Sequence, residues 1–466
     1  MKILFGLTPG LCLLLGACAG PLDRSWDDRT YRSLQDRFAD SDRRLSENAA
    51  ENANDRPPLG IEELDALTVD DAIRVAINNT PRLRRAGYQV DVAAGRVTQA
   101  GLYPNPSFSF DAEALGSDAG SGGETIYRLE QEIVLGGKLG RARDVADADR
   151  MVARAEFVAE EYAVASRVTR SYFAAVAARE RLANRQDLIA LADRLLEAAT
   201  AQVDAGAATE PDRLRAEVVK EQAEIELEAA RLEEDASMRR LASAMGLDHV
   251  VDLPLTTVAD DLPEFPNQED IATRVIESNT RMEVARIGIE RARRAHKLAK
   301  AEAIPNLVAS LGPRYSDIDN ETTVDLGIGI EIPLFDRNQG GIQSALAERL
   351  SAAADLRAVQ LELLAEVSEA WSSYEAARIA ATRYREQLLP KAERTLDLTR
   401  QAYERGKADY LRLLDAQQVV VESRIAYVDA LQRLQEAAAL LRELTQHNAP
   451  WREPRDGDQP TDEVNR

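Results

Sequence analysis

The chain has 466 residues, of which 30% are charged and only 5% are aromatic, so it is long but poor in the bulky side chains that fill a large core. Its formal net charge is −22, and basic residues form few clusters, which argues against a nucleic-acid partner. Two interpretations of the acidity remain open: a solvated surface, or an acidic passage that favours cations.

The N-terminus is typical of a lipoprotein signal. An apolar run over 3–15 leads into Leu-Gly-Ala-Cys, which ends at Cys18. We expect residues 1–17 to be removed as the signal peptide and Cys18 to carry acyl chains that anchor it to a bilayer. A plain signal peptide cleaved near Ala17 is the alternative. Because no Asp follows Cys18 directly, we expect the outer membrane to be the destination.

The processed chain is predicted to have no disulfide. Of the two cysteines, Cys12 leaves with the signal and Cys18 is the lipid anchor. No later stretch approaches the ~18 consecutive apolar residues of a transmembrane helix, so any spanning segment is expected to be β-structure. Residues 18–66 are charge-dense and predict an irregular lipidated arm, and residues 448–466 predict a polar C-terminal tail.

The sequence repeats itself with a period of about 200 residues. Several short motifs recur at that distance: Arg74–Thr80 with Arg274–Thr280, Pro104-Asn105 with Pro305-Asn306, Glu132-Ile133 with Glu331-Ile332, and Gly206 with Gly406. One distance that holds along most of the chain indicates a tandem duplication. We place the first repeat at 67–260 and the second at 261–447.

Each repeat contains two stretches in which apolar and polar residues alternate. They predict strand pairs at 107–115 with 125–135 and at 307–315 with 323–332. Strands of about ten residues can cross a bilayer when tilted, whereas the alternative is a soluble sheet with one wet face. Four strands cannot close a membrane barrel, and lipid does not tolerate an open sheet edge. Several chains must therefore share one barrel, and three chains would supply twelve strands.

Very long helices follow each strand pair. The pattern over 138–203 is uninterrupted and free of proline, and a return helix follows over 210–245. The second repeat predicts the same arrangement over 337–405 and 410–446, with Asp336 as the cap of the first of these helices. At 1.5 Å per residue, the first long helix would reach about 100 Å.

The return helices carry stripes at heptad spacing. In the second repeat, a large apolar stripe lies beside a stripe of mostly small residues: Leu413, Val420, Tyr427, Leu434 and Leu441, beside Ala416, Ser423, Ala430, Ala437 and Leu444. The first repeat keeps the small stripe, at Ala216, Ala223, Ala230, Ser237 and Ala244. Small residues let helices pack closely side by side, as a wall of helices requires. A solitary coiled-coil rod is the alternative.

Several of these features together carry a family resemblance. They are the lipobox cysteine, the duplicated helix–hairpin–helix plan, YPNP at 103–106, QEIVLGGKLGRAR at 131–143 and EIPLFDRNQGGI at 331–342. Over about 67–447 the chain resembles the TolC-type outer-membrane efflux proteins. Its Gly-Gly-Lys and Pro-Leu-Phe-Asp-Arg-Asn forms are most similar to the heavy-metal branch, that of CzcC and CusC.

The resemblance implies a mainly α-helical homotrimer. Four strands from each chain would form a twelve-stranded β-barrel in the outer membrane, on a long α-helical barrel that crosses the periplasm. Such proteins are passive exit ducts of tripartite efflux pumps, with a periplasmic adaptor and an inner-membrane transporter of the RND type as partners. Metal cations or small toxic compounds would be the cargo. A duct for type I protein or peptide secretion and a structural periplasmic rod are the alternatives.

The resemblance also implies where the duct closes. The helix–helix turns at Gly206 and Gly406 would be the periplasmic tips that contact the adaptor. Relatives carry acidic residues just after the second turn; here one such position holds Arg412 and the other holds Asp415. Asp409 is a candidate substitute for the missing acid. Asp409, Arg412 and Asp415 are therefore the candidate gate.

The sequence offers no chemistry of an enzyme. It contains no nucleotide-binding loop, no catalytic Ser/His or Cys/His set and no cluster of metal ligands, so we expect neither catalysis nor a resident metal or cofactor. The three histidines, His249, His296 and His447, lie far apart, and the few methionines form no ladder for soft metals. The sequence thus predicts a duct and leaves its cargo open.

Overall fold

The computed structural model describes residues 65–113, 123–206, 209–250, 253–256, 262–316, 320–405, 407–408 and 410–446. All of them belong to one compact unit of the chain. Cys18, Gly406, Asp409 and His447 lie outside the described residues, as do the predicted C-terminal tail and nearly all of the predicted arm.

Both repeats fold in the same order of elements. The first contains α1 (Val69–Asn79), α2 (Pro81–Ala100), β1 (Ser107–Glu113), β2 (Glu124–Ile133), α3 (Lys138–Asp204) and α4 (Glu210–Ala244). The second contains α5 (Gln268–Ser278), α6 (Thr280–Glu302), β3 (Leu307–Ser316), β4 (Glu321–Ile330), α7 (Gln339–Arg383), a π-helical segment (Tyr384–Leu388), α8 (Leu389–Glu404) and α9 (Tyr410–Thr445). The described residues are therefore mainly helical, with two strands in each repeat.

The short helices begin at recognisable caps. Thr68 and Asp71 form a capping box at the start of α1. Pro81 stands in the first turn of α2, where its missing N–H costs no hydrogen bond, and it separates α2 from α1. In the second repeat, the side chain of Asn279 caps α6 by accepting a 2.8 Å hydrogen bond from the Arg281 N–H.

The four strands form one antiparallel sheet in the order β1-β2-β3-β4. β2 ends at Ile133, short of the predicted residue 135, because Gly136 and Gly137 take positive φ angles and turn the chain towards α3. β4 ends at Ile330, short of the predicted 332, because its partner strand begins opposite it at Leu307. Residues 114 and 115 of the predicted first strand lie outside the described residues.

The prediction that Asp336 caps α7 is wrong. Asn338 occupies the cap position, with a positive φ of 54° and no capping hydrogen bond from its side chain. The Asp336 carboxylate instead accepts a 2.8 Å hydrogen bond from the Asn338 N–H. Asp336 therefore shapes the turn that precedes the helix.

The prediction of one uninterrupted helix over 337–405 is also wrong, because a π-helical segment separates α7 from α8. Pro390 stands two residues after this segment, in the first turn of α8. It lacks an N–H, and its ring clashes with the carbonyl group four residues earlier, so the helix widens there. The corresponding part of α3 contains no proline, and α3 continues for 67 residues.

The long helices pack as a layer around α3. α3 contacts α2 and α4 of its own repeat, and α6 and α9 of the second repeat. α7 lies beyond these, against α6 and α9, and α8 packs on α9. The order of the layer therefore matches the order of the sheet, with first-repeat elements at one edge and second-repeat elements at the other.

Each repeat has a hydrophobic core centred on a tyrosine. The Tyr172 hydroxyl lies 2.7 Å from the Leu67 carbonyl oxygen and 2.8 Å from that of Thr256, and burial raises the pKa of Tyr172 to about 12. In the second core, the Tyr374 hydroxyl donates a 2.7 Å hydrogen bond to the Pro263 carbonyl group. The two tyrosines tie connecting segments to the long helices.

Most positions of the predicted heptad stripes are buried. In α9, four of the five large positions are buried, and Tyr427 packs against the second core. In α4, Ala216, Ala223 and Ser237 of the small stripe are buried against α3. Small side chains thus allow the close contact between neighbouring helices that the sequence predicted.

Candidate functional site

One face of the sheet is apolar and exposed. Its exposed large side chains are Phe108, Phe110, Tyr127, Leu129, Leu311, Tyr315, Val324, Leu326, Ile328 and Ile330. Leu326 is 80% exposed and Ile328 is 79% exposed. Soluble monomers rarely expose a contiguous apolar surface of this kind, so this face needs an apolar environment.

The opposite face of the sheet is polar and partly covered by ion pairs. The Arg314 guanidinium lies 3.1 Å from the Glu124 carboxylate and 2.8 Å from the Asp325 carboxylate. Arg314 thereby links three neighbouring strands on this face. The predicted alternation of apolar and polar faces is confirmed.

A polar contact joins the two repeats where the sheet meets the helices. The Asn306 side-chain amide donates a 2.6 Å hydrogen bond to the Glu132 carboxylate, and its oxygen accepts one of 2.6 Å from the Lys138 ammonium group. The Leu135 N–H also donates to this oxygen, at 3.3 Å. We call these four residues the internal junction. The sequence showed that the Pro-Asn pair recurs, but it gave no sign of these partners.

The chain has two open edges. One consists of β1, α2 and α4, whose contacts with the other described elements are made mainly by pairing with β2 or packing on α3. The other consists of β4, α7 and α8. Among the strands that the structure describes, β1 and β4 each pair with a neighbour on one side only. Each edge strand therefore carries a row of backbone groups that no neighbouring strand of the described chain satisfies.

The first predicted tip lies between the end of α3 and the start of α4, with Gly206 and Thr209 described on either side of it. Gly206 follows α3 with a φ of 73°, a conformation that favours glycine, and the chain then enters α4. Thr209 and Asp212 form a capping box, in which the Thr209 N–H donates to Asp212 at 3.0 Å and hydrogen bonds lower the pKa of that carboxyl. Contact with an adaptor stays a prediction for Gly206, and Gly406 lies outside the described residues.

The structure places two of the three candidate gate residues on the first turns of α9. Arg412 and Asp415 are both exposed, one helical turn apart, while Leu413 and Leu414 between them are buried. Asp409 lies outside the described residues. The gate therefore stays a prediction that concerns how these helix starts meet in an assembly.

Within the described residues, no group of three or more His, Cys, Asp or Glu side chains could hold a metal ion. His249 is exposed beside Asp248, and His296 lies in α6, far along the chain. In the same part of the chain, no helix combines the length and the apolar character that crossing a membrane requires.

The sequence pattern of the outer membrane efflux protein family matches residues 72–247 and, a second time, residues 272–446. The chain belongs to this family. The double match confirms the tandem duplication, since each repeat corresponds to one copy of the family pattern.

Individual relatives agree with this assignment. The chain is 26% identical over 386 residues to the cobalt-zinc-cadmium resistance protein CzcC of Cupriavidus metallidurans, covering 83% of this chain and 91% of that protein. It is 27% identical over 299 residues to the nickel-cobalt-cadmium resistance protein NccC of Alcaligenes xylosoxydans, covering 60% of this chain and 64% of that protein. The solved structure of CusC superposes with a TM-score of 0.68 at 17% identity, over 84% of this chain and 98% of that one. The predicted resemblance to the heavy-metal branch is confirmed.

Proposed function

We propose that this chain is one third of a passive exit duct, in which three copies close one twelve-stranded barrel in the outer membrane and one helical barrel across the periplasm. The observation that carries the proposal is a sheet with an exposed apolar face and an open edge on each side. In lipid, each unpaired backbone group of an edge strand costs several kcal/mol, so both edges require a strand partner.

The number of copies follows from the size of a useful barrel. Two copies would supply eight strands, and the interior of an eight-stranded barrel is filled by side chains or holds at most one small ligand. Twelve strands are the next multiple of four, and they leave a lumen. Three copies joined edge to edge in a head-to-tail ring therefore suit a duct.

The helices support the same arrangement. The exposed surface of α4 carries an apolar stripe, formed by Leu214, Val218, Ile225 and Leu232. Exposed apolar side chains also lie along α7, the π-helical segment and α8, at Ile379, Leu388 and Leu398. The two groups lie on opposite open edges, so a head-to-tail contact would bury apolar surface on both. Burial of such side chains contributes roughly 1.5–3 kcal/mol each.

We propose metal cations as the cargo. The relatives of highest similarity reported above are named for resistance to cobalt, zinc, cadmium and nickel, which supports this class of substrate. The duct itself has no source of energy, so we propose a periplasmic adaptor and an inner-membrane transporter of the RND type as partners, with Gly206 and Gly406 at the adaptor contact.

We also propose that Cys18 carries the lipid anchor in the outer membrane. The barrel should hold the trimer in the membrane without the acyl chains. A Cys18→Ser variant is therefore expected to stay in the outer-membrane fraction as a trimer. Recovery of this variant as a soluble periplasmic monomer would contradict the barrel.

The function can be tested in two measurements. In planar bilayers, the purified protein is expected to give stepwise conductance without any energy source, and absence of conductance would contradict a duct. In the native host, deletion of the gene is expected to raise sensitivity to Co²⁺, Zn²⁺ and Cd²⁺, with rescue by the intact gene. Unchanged metal sensitivity together with loss of one secreted protein would instead favour type I secretion.

A further inference from the structure

The residues of the internal junction have counterparts at the two open edges of the chain, where they could form the same contact between two copies. The motif around Glu132 and Lys138 in the first repeat aligns with Glu331 and Arg337 in the second. The Asn306 of the second repeat aligns with Asn105 of the first. Within the chain, the junction joins the first-repeat carboxylate and cation to the second-repeat asparagine. The complementary set, Glu331, Arg337 and Asn105, is exposed at the two open edges.

We propose that Asn105 of one copy docks between Glu331 and Arg337 of the next copy, reproducing between chains the contact that Asn306 makes within the chain. The amide nitrogen would donate to the Glu331 carboxylate, and the amide oxygen would accept from the Arg337 guanidinium. This inference rests on the proposed function, since it requires a second copy of the chain at the open edge.

One partner of the internal junction is not reproduced. The Leu135 N–H donates to Asn306, whereas its counterpart, the Leu334 N–H, donates to the Ile332 carbonyl group at 2.8 Å. The chain also turns differently there, because Gly136 has a positive φ and Phe335 does not. The contact between chains therefore depends on the carboxylate and the guanidinium.

The same alignment sets the register of the strands between chains. Within the chain, Glu130 lies opposite Ser310 in the pairing of β2 with β3. Their counterparts are Gly329 in β4 and Ser109 in β1. We infer that Ser109 of one copy lies opposite Gly329 of the next. In this register the exposed Phe108 and Ile330 also lie opposite each other, so the apolar face continues across the boundary.

The helices agree with this register. In the internal contact between α3 and α6, the Arg291 guanidinium bonds to the Asp149 carboxylate, which fixes how the two antiparallel helices are aligned. α7 corresponds to α3, and α2 corresponds to α6. If α7 of one copy packs on α2 of the next copy in the same alignment, Leu350 lies close to Tyr88 and Leu346 lies close to Val92. All four of these side chains are exposed in the single chain. The contact would thus cover apolar surface on both edges.

A disulfide can measure the register directly. The sequence has no cysteine after residue 18, so introduced cysteines are the sole free thiols of the lipidated protein. We would combine Ser109→Cys with Gly329→Cys in the full-length protein, oxidise the outer membranes and separate the chains under denaturing conditions. Nothing lies within 4 Å of a Cβ built at Gly329, so the substitution fits. A covalent species of three chains is the expected product.

The matched control is Asp111→Cys with Gly329→Cys. Asp111 lies on the same face of β1, two residues from Ser109, a shift of about 6.6 Å that takes the thiols out of bonding distance. The control pair is expected to give about tenfold less cross-linked trimer. If it cross-links as well as the first pair or better, or if neither pair cross-links, the proposed register is wrong.

Charge substitutions test the asparagine itself. Asn105→Asp places a carboxylate beside Glu331, and the resulting repulsion should shorten the lifetime of the trimer in warm detergent by about tenfold. Adding Glu331→Gln removes the repulsion and is expected to restore the lifetime, because the new amide can donate to the new carboxylate. Asn78→Asp, at an exposed position of α1, is the control: it loses a local hydrogen bond to the Arg74 carbonyl group and should leave the lifetime of the trimer unchanged.

The outcomes separate the two proposals. A trimer that Asn105→Asp leaves intact, or that Glu331→Gln fails to rescue, overturns the docking of Asn105 and leaves the duct standing. A wild-type protein that is monomeric in mild detergent overturns both.

Discussion

The internal junction between the repeats and the open edges of the chain carry corresponding residues, yet their surroundings differ. Met151 of α3 is 3% exposed at the contact between repeats, whereas its counterpart Leu350 of α7 is 64% exposed. Tyr162 and its counterpart Leu361 differ in the same way, at 7% and 52%. Each repeat thus has a contact surface on both sides. Within one chain the two inner surfaces meet, and the two outer surfaces stay open. Exposure of apolar residues at the edges therefore indicates a missing neighbour.

The largest effect is expected on the apolar face of the sheet. Ile328→Arg would place a charge in lipid, at a cost of about 2–4 kcal/mol near the middle of the bilayer. We expect the variant to fail to assemble in the outer membrane, measured as trimer in membrane fractions. Gly329→Ser, on the opposite, polar face of the sheet, is the control. Normal assembly of Ile328→Arg would mean that the exposed face does not contact lipid.

A second substitution breaks the internal junction itself. Asn306→Ala removes hydrogen bonds to the Glu132 carboxylate and the Lys138 ammonium group. Bonds to charged groups contribute about 1.5–3 kcal/mol each, so the loss of two should lower the free energy of unfolding by roughly 3–6 kcal/mol. Denaturant unfolding of the detergent-solubilised chain measures it.

The corresponding substitution at the open edge, Asn105→Ala, distinguishes that edge from the internal junction. Asn105→Ala should leave the unfolding of a single chain unchanged and affect only the lifetime of the trimer. Equal effects of the two substitutions on the unfolding of one chain would contradict the distinction between junction and edge.

The tyrosine cores give a smaller effect that depends on pH. Tyr172→Phe keeps the buried ring and loses the hydroxyl contacts with Leu67 and Thr256. We expect a loss of about 1–2 kcal/mol at neutral pH. Tyr374→Phe is the matched change in the second core.

The sign of the pH dependence follows from the pKa. Burial raises the pKa of Tyr172 to about 12 in the folded chain, above its ordinary value near 10. Stability from the neutral hydroxyl is therefore complete below pH 10 and is lost as the pH rises towards 12. The difference in stability between wild type and Tyr172→Phe should narrow across that interval. A difference that stays constant would mean that the neutral hydroxyl of Tyr172 is not its source.

The smallest effect is expected at the tip. Three Asp415 carboxylates around a narrow opening would favour cations, so Asp415→Ala should reduce the cation preference of single channels and their block by multivalent cations. Arg412 of a neighbouring copy is the candidate partner that limits the effect. Unchanged selectivity would leave Asp415 as a charge on the helix surface, and the duct would stand.

The sequence predicted the fold well where one periodic pattern decides it. The alternation in 107–115 and 323–332 located two strands to within about two residues, because a half-buried strand has a period of two. Helix α3 was predicted almost to its ends. The break before α8 was missed, since Pro390 stands inside a strong helical pattern and its effect depends on the helix geometry around it.

Contacts between residues far apart in the chain could not be predicted from the sequence. The recurrence of the Pro-Asn pair marked Asn306 as unusual, but the approach of Glu132 and Lys138 depends on how the two repeats pack. The anchoring of connecting segments by Tyr172 and Tyr374 is of the same kind. Periodicity reports which face of an element is buried, and it does not report the partner.

The central claim is that the two open edges close on further copies of the same chain. Native mass spectrometry of the protein, extracted from outer membranes into mild detergent, tests this most directly. We predict one dominant species that contains three chains. A protein that remains a single chain, or that forms only pairs, would contradict the account, because the exposed strand edges would then have no partner in the membrane.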